Sequence, residues 1–453
     1  MTRAEKRAAS GLAAIFGLRM LGMFLILPVF ALYAEHLPGG TSHTLVGLTL
    51  GMYGLTQALL MIPYGMASDR IGRKKVIIFG LILFAAGSFI AATASDIYWT
   101  IAGRAVQGAG AISAAITALL ADLTREEHRT KAMAMIGSTI GLTFAVSLVA
   151  GPALNRLMGV PGIFALTGVL ALAAIWVVKV WVPDPESSHF HADAQANPAR
   201  LKDVLQNGQL LRLDFGIFAL HAAQMAMFVV VPVALKNSGL AADHHWAVYL
   251  PVLLGSFVLI VPAIIYGETR GKMKPVFVGA VALMLLAQLG MALGIDRFWG
   301  IVGALFFYFV AFNLLEASLP SLISKLAPAS AKGTAMGVYN TAQALGLFFG
   351  GAVGGWLAQH FGFHAVFMFS VGLMAIWLLA SLSMTPPPAI KTRMFRVGTM
   401  PADRAALLKA QLAGVAGVVE VAVLAEEGVA MLKVSLQGWD ETAARLLLEA
   451  VGA

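Results

Sequence analysis

The sequence contains no cysteine and few charged residues, and both shortages restrict what the chain can be. Zero cysteines exclude disulfide bonds, thiolate metal sites and thiol redox chemistry. Asp, Glu, Lys and Arg make up only 12% of the residues, whereas hydrophobic residues make up 59%. A water-soluble fold has no place for that much apolar surface. The chain is therefore predicted to lie in a membrane.

Long apolar runs predict twelve transmembrane helices. A helix needs about 20 apolar residues to cross the hydrocarbon core, and only helices and closed barrels satisfy every backbone polar group there. The runs are continuous and do not alternate with polar residues, which favours helices. The first run is too long for a signal peptide and lacks a small-residue cleavage site, so it is interpreted as a retained span. The predicted spans are 11–34, 44–67, 76–95, 98–121, 132–155, 160–182, 211–236, 246–267, 275–294, 298–325, 334–359 and 362–384.

A polar stretch between the sixth and seventh spans divides the membrane part into two halves. The predicted organisation is a six-helix bundle at 1–182, a central loop at 183–210, a second six-helix bundle at 211–384, a linker at 385–392 and a small domain at 393–453. The halves also match each other in sequence, because residues 123–164 align with 326–367 after a shift of 203 positions. Two parallel halves of this kind predict a binding site between them, near the middle of the membrane.

The positions of the basic residues predict the orientation of the chain. Lys and Arg cluster in alternate loops, and loops with this excess stay in the cytoplasm. The clusters contain Arg70, Arg73, Lys74, Lys75, Arg125, Arg129, Lys131, Arg200, Lys202, Arg270, Lys272, Lys274 and Lys332. The other loops carry only Arg156, Lys236 and Arg297. Both termini are therefore predicted to be cytoplasmic. This distribution also explains the net charge of +8, so no nucleic-acid partner is expected.

The composition changes after Thr385, where three prolines predict a stiff linker. A strand is predicted at 394–397, a helix at 402–412, strands at 418–424 and 429–436, and a final helix from Asp440. The order β-α-β-β-α predicts a small ferredoxin-like domain with its last strand short or absent. This domain is expected in the cytoplasm.

The loop between the second and third spans carries an ordered set of glycines and charges. Its residues are Gly65, Asp69, Arg70, Gly72, Arg73 and Lys74. A glycine turn at a helix end holds one acid beside several bases, where another helix terminus can meet them. Such a cluster can latch two helix bundles in one state and release them in another. The alternative interpretation is ordinary retention of basic residues in a cytoplasmic loop.

This loop resembles the signature loop of the major facilitator superfamily. The resemblance implies an all-α membrane fold of two pseudo-symmetric six-helix halves. It also implies that Asp69 faces the start of the eleventh helix and that Arg73 pairs with an acid at the end of the fourth. Asp122 closes the fourth span and is the matching candidate. The pair is expected to favour the outward-open form.

Two arginines lie inside predicted spans, Arg19 in the first and Arg104 in the fourth. An arginine in the hydrocarbon costs about 3 kcal/mol on insertion scales, so each should face a wet cavity or a partner. Gln107 lies one turn after Arg104 and shares its face. The stretch from Arg104 to Gly110 resembles the second motif of the superfamily. The alternative is a helix–helix hydrogen bond without a role in transport.

The fifth span contains Gly141, Gly151 and Pro152, which are similar to the motif of the antiporter branch of the superfamily. The match is partial, because Leu154 and Asn155 stand where that motif has a glycine pair. The resemblance favours antiport. Close helix packing is the alternative explanation of these glycines.

Ionisable residues are few in the second half, and each one is a functional candidate. Glu316 in the tenth span follows Asn313 by three residues, and His221 in the seventh precedes Gln224 by three. Buried carboxyl and imidazole groups can exchange protons near neutral pH. Glu316 and His221, with Arg104 and Arg19, are therefore predicted to couple transport to protons. A hydrogen-bonded interior polar pair is the alternative.

Polar side chains at helical spacing are predicted to line a central cavity. They are Tyr53, Gln57, Gln107, Gln224, Asn313, Tyr339, Asn340 and Gln343. Hydrogen bonding between helices would explain the same residues. The glycines Gly346, Gly350 and Gly354 recur every four residues and predict a close helix contact.

Residues 1–384 as a whole resemble the proton-coupled drug antiporters of the superfamily. The resemblance implies a monomeric inner-membrane transporter that exports a small, hydrophobic or amphipathic molecule in exchange for protons. A proton-coupled nutrient symporter and a membrane sensor that signals through the C-terminal domain remain open. No nucleotide-binding loop or hydrolase motif occurs, so neither enzyme activity nor a cofactor is expected. His189 and His191 lack further ligands and are interpreted as solvated, so no metal site is expected.

Overall fold

The computed structural model describes residues 1–185, 194–386, 390–435 and 438–452. The predictions for His189, His191, Pro387 and Pro388 lie outside these residues. The helices of the first half are α1 (Arg3–Phe24), α2 (Phe30–Ala34), α3 (His43–Ile71), α4 (Arg73–Ala92), α5 (Ile97–Gly108), α6 (Ser113–Asp122) and α7 (Glu126–Trp176). Those that follow are α8 (Leu201–Leu205), α9 (Gly208–Asn237), α10 (Trp246–Thr269), α11 (Met273–Gly294), α12 (Phe298–Leu326), α13 (Lys332–Phe361) and α14 (Phe363–Leu382).

These helices account for the twelve predicted spans. Within the described ranges, nine helical segments are long and apolar enough to cross a membrane. One of them, Lys131–Trp181, holds two predicted spans, which are separated at Gly159, where φ is 68°. The remaining two spans are α1 with α2, and α13. The predicted fold of two six-helix membrane halves is confirmed.

Two spans that were predicted as continuous helices are interrupted, and in this detail the prediction was wrong. The first span breaks between Phe24 and Phe30, where Pro28 has no amide hydrogen to donate. The fourth span breaks between Gly108 and Ser113. A Cβ atom at Gly108 would lie 2.3 Å from the carbonyl oxygen of Tyr53. The helix of the fourth span is therefore interrupted next to its close contact with α3.

Helix α13 packs between α9 and α3 through two rows of glycine. A Cβ atom at Gly350 would lie 2.1 Å from the carbonyl oxygen of Ala222 on α9, and Gly346 and Gly354 approach α9 in the same way. The predicted helix contact of this stripe is confirmed. On its other side, a Cβ atom at Gly351 would lie 2.4 Å from the carbonyl oxygen of Gly47 on α3. Glycine thus allows close backbone contact between the two halves.

The C-terminal domain contains β1 (Ile390–Arg396), α15 (Ala402–Ala413), β2 (Val418–Leu424), β3 (Val429–Ser435) and α16 (Glu441–Gly452). The sheet order is β1-β3-β2, and both pairings are antiparallel. Strand β1 begins four residues earlier than predicted, because Ile390 pairs with Ser435. The three described strands and two helices agree with a ferredoxin-like domain. Its core includes Leu408, Leu412 and Leu432.

The sheet docks on the segment between α12 and α13. Glu420 accepts a hydrogen bond from the backbone amide of Ala329 at 2.9 Å. The ammonium of Lys433 donates to the carbonyl oxygen of Ala327 at 2.5 Å and pairs with Glu420 at 2.7 Å. Met431 and Val429 pack around Ala329. Because β1 also contacts α7, the domain touches both halves of the membrane part.

Candidate transport pathway

The charged motif lies where α3 ends and α4 begins. Arg73 is buried, and its guanidinium is surrounded by three oxygen-bearing side chains. Its Nη1 contacts Asp69 and lies 2.9 Å from Oγ of Ser68, and its Nε lies 3.2 Å from Oδ2 of Asp122. The structure therefore joins Arg73 to Asp122 across the ends of α4 and α6. Among the described residues, Asp69 forms an ion pair with Arg73, which belongs to the same motif.

The other residues of the motif contact the surrounding segments. Lys74 pairs with Asp184 at 2.7 Å and donates to the carbonyl oxygen of Val182 at 2.7 Å. Gly72, with φ of 103°, separates the two helices, and a Cβ atom at Gly65 would contact Ala114 of α6 at 3.5 Å. Arg70 is exposed. The motif thus connects α3, α4, α6 and the end of the sixth span.

A second cluster is buried inside the first half, around the ring of Tyr53. Arg19 on α1 donates to Oγ of Ser113 at 2.8 Å, and Arg104 on α5 donates to Oε1 of Gln107 at 2.5 Å. The guanidinium carbons of Arg19 and Arg104 lie 5.7 and 4.8 Å from the centre of the Tyr53 ring. The two arginines are 2% and 0% exposed. The structure therefore brings together three residues that the sequence placed in separate spans.

The rest of this cluster is neutral. The amide of Gln107 donates to Oγ of Ser88 at 2.9 Å, and the hydroxyl of Thr167 lies 3.3 Å from the same oxygen. Gln57 is buried one turn after Tyr53, and its Oε1 has no partner among the described residues. The hydroxyl of Tyr53 also has none there. These groups present polar atoms to the interior of the first half.

A third cluster joins α9, α12 and α13 in the second half. The side-chain nitrogen of Gln343 lies 2.8 Å from Nε2 of His221 and 3.5 Å from Oε1 of Glu316. Nε2 of His221 lies 3.8 Å from Oε2 of Glu316. Its Nδ1 lies 3.2 Å from the carbonyl oxygen of Ile217. Since Nδ1 faces an acceptor and Nε2 faces the amide donor, the network assigns a neutral ring with the proton on Nδ1.

The remaining predicted cavity residues lie on the same helices. Asn313 donates to Oγ of Ser256 on α10 at 3.2 Å, so it joins two helices. Gln224 and Tyr339 are buried, and Oε1 of Gln224 and the hydroxyl of Tyr339 have no partner within the described residues. Asn340 is half-buried. Tyr339 and Gln343 are one turn apart on α13 and so share a face.

Gly141 and Gly151 of the fifth span differ in how closely they approach neighbouring segments. A Cβ atom at Gly151 would lie 2.6 Å from the carbonyl oxygen of Leu25 and 2.9 Å from Pro28, at the break in the first span. Pro152 follows within α7. A Cβ atom at Gly141 would meet nothing within 4 Å, so the alternative explanation by close helix packing does not hold for this glycine. The packing role belongs to Gly151.

Polar contacts join the two halves at the end opposite the N-terminus. Lys236 pairs with Glu35 at 2.6 Å. The backbone amide of His43 donates to Oε1 of Gln359 at 2.7 Å. The glycine contact between α3 and α13 lies next to this bond, because a Cβ atom at Gly355 would be 2.4 Å from the carbonyl oxygen of His43. The halves are therefore closed against each other at this end.

An aromatic cluster that sequence reasoning missed lies between the halves. The ring of Phe144 on α7 lies 5.1 Å from Phe24, 6.3 Å from Phe228 and 5.4 Å from Phe312. Phe312 in turn lies 5.9 Å from the ring of His221. A phenylalanine in an apolar span carries no local signal for such a contact. The cluster connects the two halves beside the His221 network.

Asp214 on α9 was also missed. Its side chain is buried, and neither carboxylate oxygen has a hydrogen-bond partner among the described residues. It lies seven residues before His221, on the same face of the helix. The sequence did contain a signal, because an acid within a predicted span is a functional candidate.

Comparison with known proteins identifies the class. A sequence model of the Major Facilitator Superfamily matches residues 12–351 and, in a second match, residues 246–408. The chain belongs to this superfamily of transporters and is not an enzyme.

Individual proteins that are similar to this chain narrow its class further. The chain is 45% identical to the inner membrane transport protein YajR of Escherichia coli K12 over 96% of this chain and 95% of that protein. It is 25% identical to the multidrug resistance protein MdtH of Edwardsiella ictaluri over 75% of this chain and 83% of that one. The fold matches an inward-facing, occupied bacterial homolog of the human lysosomal transporter Spinster, with a TM-score of 0.67, 13% identity, and coverage of 84% and 97%. The protein is thus a multi-pass transporter of a bacterial inner membrane for small molecules.

Proposed function

We propose that this protein exports a small, hydrophobic or amphipathic molecule in exchange for protons. Both termini face the cytoplasm in this proposal, as the distribution of basic residues predicts. The observation that carries it is the network of buried His221 with partly buried Gln343 and Glu316, which lies in the second half beside the aromatic contact between the halves. An acid and an imidazole in such a place are the groups that exchange protons in membrane carriers.

The network offers two arrangements that differ by a proton. In the first, Nε2 of His221 accepts a hydrogen bond from Gln343, which also reaches Glu316. In the second, a proton on Nε2 turns the ring into a donor, and Glu316, 3.8 Å away, is the nearby acceptor. The amide of Gln343 must then rotate, so that its oxygen faces the ring. Proton binding thereby changes contacts between α9, α12 and α13.

The switch motif would couple these changes to the opening of the halves. With cytoplasmic termini, the contacts of Glu35 with Lys236 and of His43 with Gln359 lie on the periplasmic side. The described arrangement is then the one closed to the periplasm. Because the Arg73–Asp122 pair is present in it, the pair is not specific to the outward-open form that it was expected to favour. Formation and loss of contacts around Asp69, Arg73 and Asp122 would accompany movement of the bundles past each other. The carrier is proposed to act as a monomer.

The name of the relative MdtH supports export of drug-like molecules, because it is called a multidrug resistance protein. Gly151 and Pro152 support antiport, since they lie where the superfamily's antiporter motif is expected. A nutrient symporter has the same buried acid and imidazole. A membrane sensor would use the docked C-terminal domain as its output. The nutrient symporter and the membrane sensor are the two alternatives to proton-coupled export.

Proton movement in liposomes separates the three functions. The purified protein is reconstituted with a pH-sensitive dye inside, and one probe of each class is added outside: ethidium, lactose, alanylalanine and 2-naphthoate. Antiport predicts that entry of a transported probe drives protons out of the lumen, so the lumen becomes alkaline. Symport makes the lumen acidic, and a sensor leaves its pH unchanged. Either of these two results would contradict the proposal.

A further inference from the structure

The two arginines of the first half present hydrogen-bond donors that the protein itself does not use. Nε and Nη2 of Arg19 have no partner among the described residues, and the same two atoms of Arg104 have none. In a guanidinium, the N–H bonds of Nε and Nη2 point to the same side and form the planar fork that binds a carboxylate with two parallel hydrogen bonds. Both arginines thus keep the same buried fork without a hydrogen-bond partner among the described residues.

The bonds that these arginines do make are to neutral groups. Nη1 of Arg19 donates to Ser113, and Nη1 of Arg104 donates to Gln107. These bonds orient each guanidinium but leave its charge uncompensated. The Tyr53 ring, to which both groups are close, offers only the weak attraction of its π face. The cluster therefore holds two buried positive charges, and no carboxylate of the described residues pairs with them.

Two other buried cations among the described residues, Arg73 and Lys433, are compensated by carboxylates. Arg73 is 3% exposed and pairs with Asp122 and Asp69. Lys433 is 4% exposed and pairs with Glu420. Burying an unpaired charge is far more costly than burying a paired one. A structural arginine pair in this fold would thus be expected to have an acid beside it.

We infer that Arg19 and Arg104 bind the negatively charged group of the transported molecule, which is an organic carboxylate in chemical class. Each open fork matches the two oxygens of a carboxylate. The hydroxyl of Tyr53, which has no partner among the described residues, can donate a hydrogen bond to the same ligand. A lipophilic cation is disfavoured, because two uncompensated positive charges would repel it.

This inference rests on the proposed function and narrows its amphipathic substrate to an anion. Export of an anion and entry of a proton move charge in the same electrical direction across the membrane. A potential that is negative inside therefore favours both movements. The acid of the proton site, Glu316, lies in the other half, so substrate charge and proton occupy separate groups. Arg19 and Arg104 are thereby assigned to the substrate and not to the proton coupling predicted for them from the sequence.

Equilibrium binding tests the inference without any ion gradient. The full-length protein in lipid nanodiscs is titrated with 2-naphthoate, with the neutral 2-naphthamide and with the cation 2-naphthylmethylammonium, by calorimetry and by thermal unfolding. We expect saturable binding of 2-naphthoate and a rise in unfolding temperature. The amide and the cation should bind at least about tenfold more weakly, since they lose the two-fork contact. Equal binding of the amide would overturn the inference.

Substitutions locate the site. Arg104→Gln and Arg19→Gln should each weaken 2-naphthoate binding at least about tenfold, since each removes one fork. Unliganded Arg104→Gln should melt no lower than the wild type, because an uncompensated buried charge is gone. If a glutamine variant does not insert into the membrane, Arg104→Lys is used in its place. The lysine keeps the positive charge but lacks the planar fork, so this variant should also bind 2-naphthoate more weakly. The exposed Arg297→Gln is the matched control and should bind normally.

Two further results would also overturn the inference. One is 2-naphthoate affinity within twofold of the wild type in every inserted variant of Arg19 and Arg104. The other is an equal rise in unfolding temperature with sodium chloride alone at the same concentration, because the site would then take any small anion. Failure of proton antiport in liposomes, with 2-naphthoate binding intact, would refute the proposed function and leave the anion site standing.

Discussion

The side-chain nitrogen of Gln343 lies 2.8 Å from Nε2 of His221, which joins α13 to α9 through an imidazole that can take up a proton. The same nitrogen lies 3.5 Å from Oε1 of Glu316 on α12. Three helices of the second half therefore meet at one titratable network. Since α13 also packs against α3 through glycine, the helix that carries Gln343 also forms the contact between the halves.

Glu316→Gln should abolish proton-coupled transport. The variant keeps the shape of the side chain but cannot exchange a proton, so a transported probe should change the lumen pH at least about tenfold less than with the wild type. The measurement is the liposome assay, with probe binding in nanodiscs measured alongside to show that the site is intact. The exposed Asp296→Asn serves as the control and should transport normally. Unchanged proton flux in Glu316→Gln would remove Glu316 from the mechanism.

Asp122→Asn should destabilise the protein much more than loss of the neighbouring surface pair. The carboxylate of Asp122 is fully buried against Arg73, and its loss leaves this buried guanidinium paired with Asp69, whose side chain is 39% exposed, so the cost is about 3 kcal/mol. The carboxylate of Asp184, which pairs with Lys74, is 86% exposed, so Asp184→Asn should cost at most about 1 kcal/mol. Thermal unfolding in nanodiscs compares them. Equal melting of the two variants would show that the Arg73–Asp122 pair does not stabilise the fold.

Docking of the N-terminus should depend on pH through Glu5. The guanidinium of Arg125, whose Nε lies 2.9 Å from Oε1 of Glu5, lowers the pKa of that carboxyl from 4.5 to about 2. Because the folded pKa is the lower one, the contribution of this pair to stability is complete above pH 4.5 and is lost as the pH falls through 2. The mobility of a spin label at Arg3→Cys should therefore be constant from pH 8 to 4.5 and rise as the pH falls further toward 2.

The control for this experiment is Glu5→Gln, which has no charge to lose. In that variant the label should be mobile at every pH, with no transition below pH 4.5. A transition of the same size in both proteins would assign the pH dependence to another group.

The C-terminal domain should be dispensable for folding of the membrane part. Its described contacts with the second half are few and local, chiefly those of Glu420 and Lys433 with Ala329 and Ala327. Deletion of residues 393–453 should leave a folded, inserted carrier that elutes as a single species after purification. Loss of inserted protein would contradict this.

The docking of the C-terminal domain can be tested separately by disulfide formation, because the chain has no cysteine of its own. The variant Ala329→Cys/Glu420→Cys should form a disulfide bond on oxidation. The variant Ala329→Cys/Leu407→Cys is the control and should not form one, because Leu407 lies on the outer face of the domain.

Much of the fold was predictable, because membrane helices leave a local signal. Runs of about 20 apolar residues predicted the spans, and the three-residue spacing of Arg104 and Gln107 predicted a shared face, where they form a hydrogen bond. The breaks at Pro28 and Gly108 were not predicted, because both lie within apolar runs long enough for a continuous helix. They depend on contacts with distant segments, such as that of Gly108 with Tyr53.

The candidate site was predictable only as separate parts. Intramembrane charges marked Arg19, Arg104, His221 and Glu316, each in a different span. Their grouping into a basic cluster in one half and an acid–imidazole network in the other required the structure, since sequence spacing says nothing about contacts across a hundred residues. Phe144 illustrates the same limit, because its partners Phe24, Phe228 and Phe312 lie in three other spans.

The central claim is that the two halves open alternately at the two ends, and distances between paired spin labels test it most directly. One pair, Ser95→Cys/Asn237→Cys, reports the end where Glu35 meets Lys236, and the other, Lys75→Cys/Lys272→Cys, reports the opposite end; all four positions are exposed. Changing the pH from 8 to 6, or adding 2-naphthoate, should lengthen one distance while the other shortens. Two distances that change in the same sense, or that both stay fixed under both conditions, would contradict alternating access.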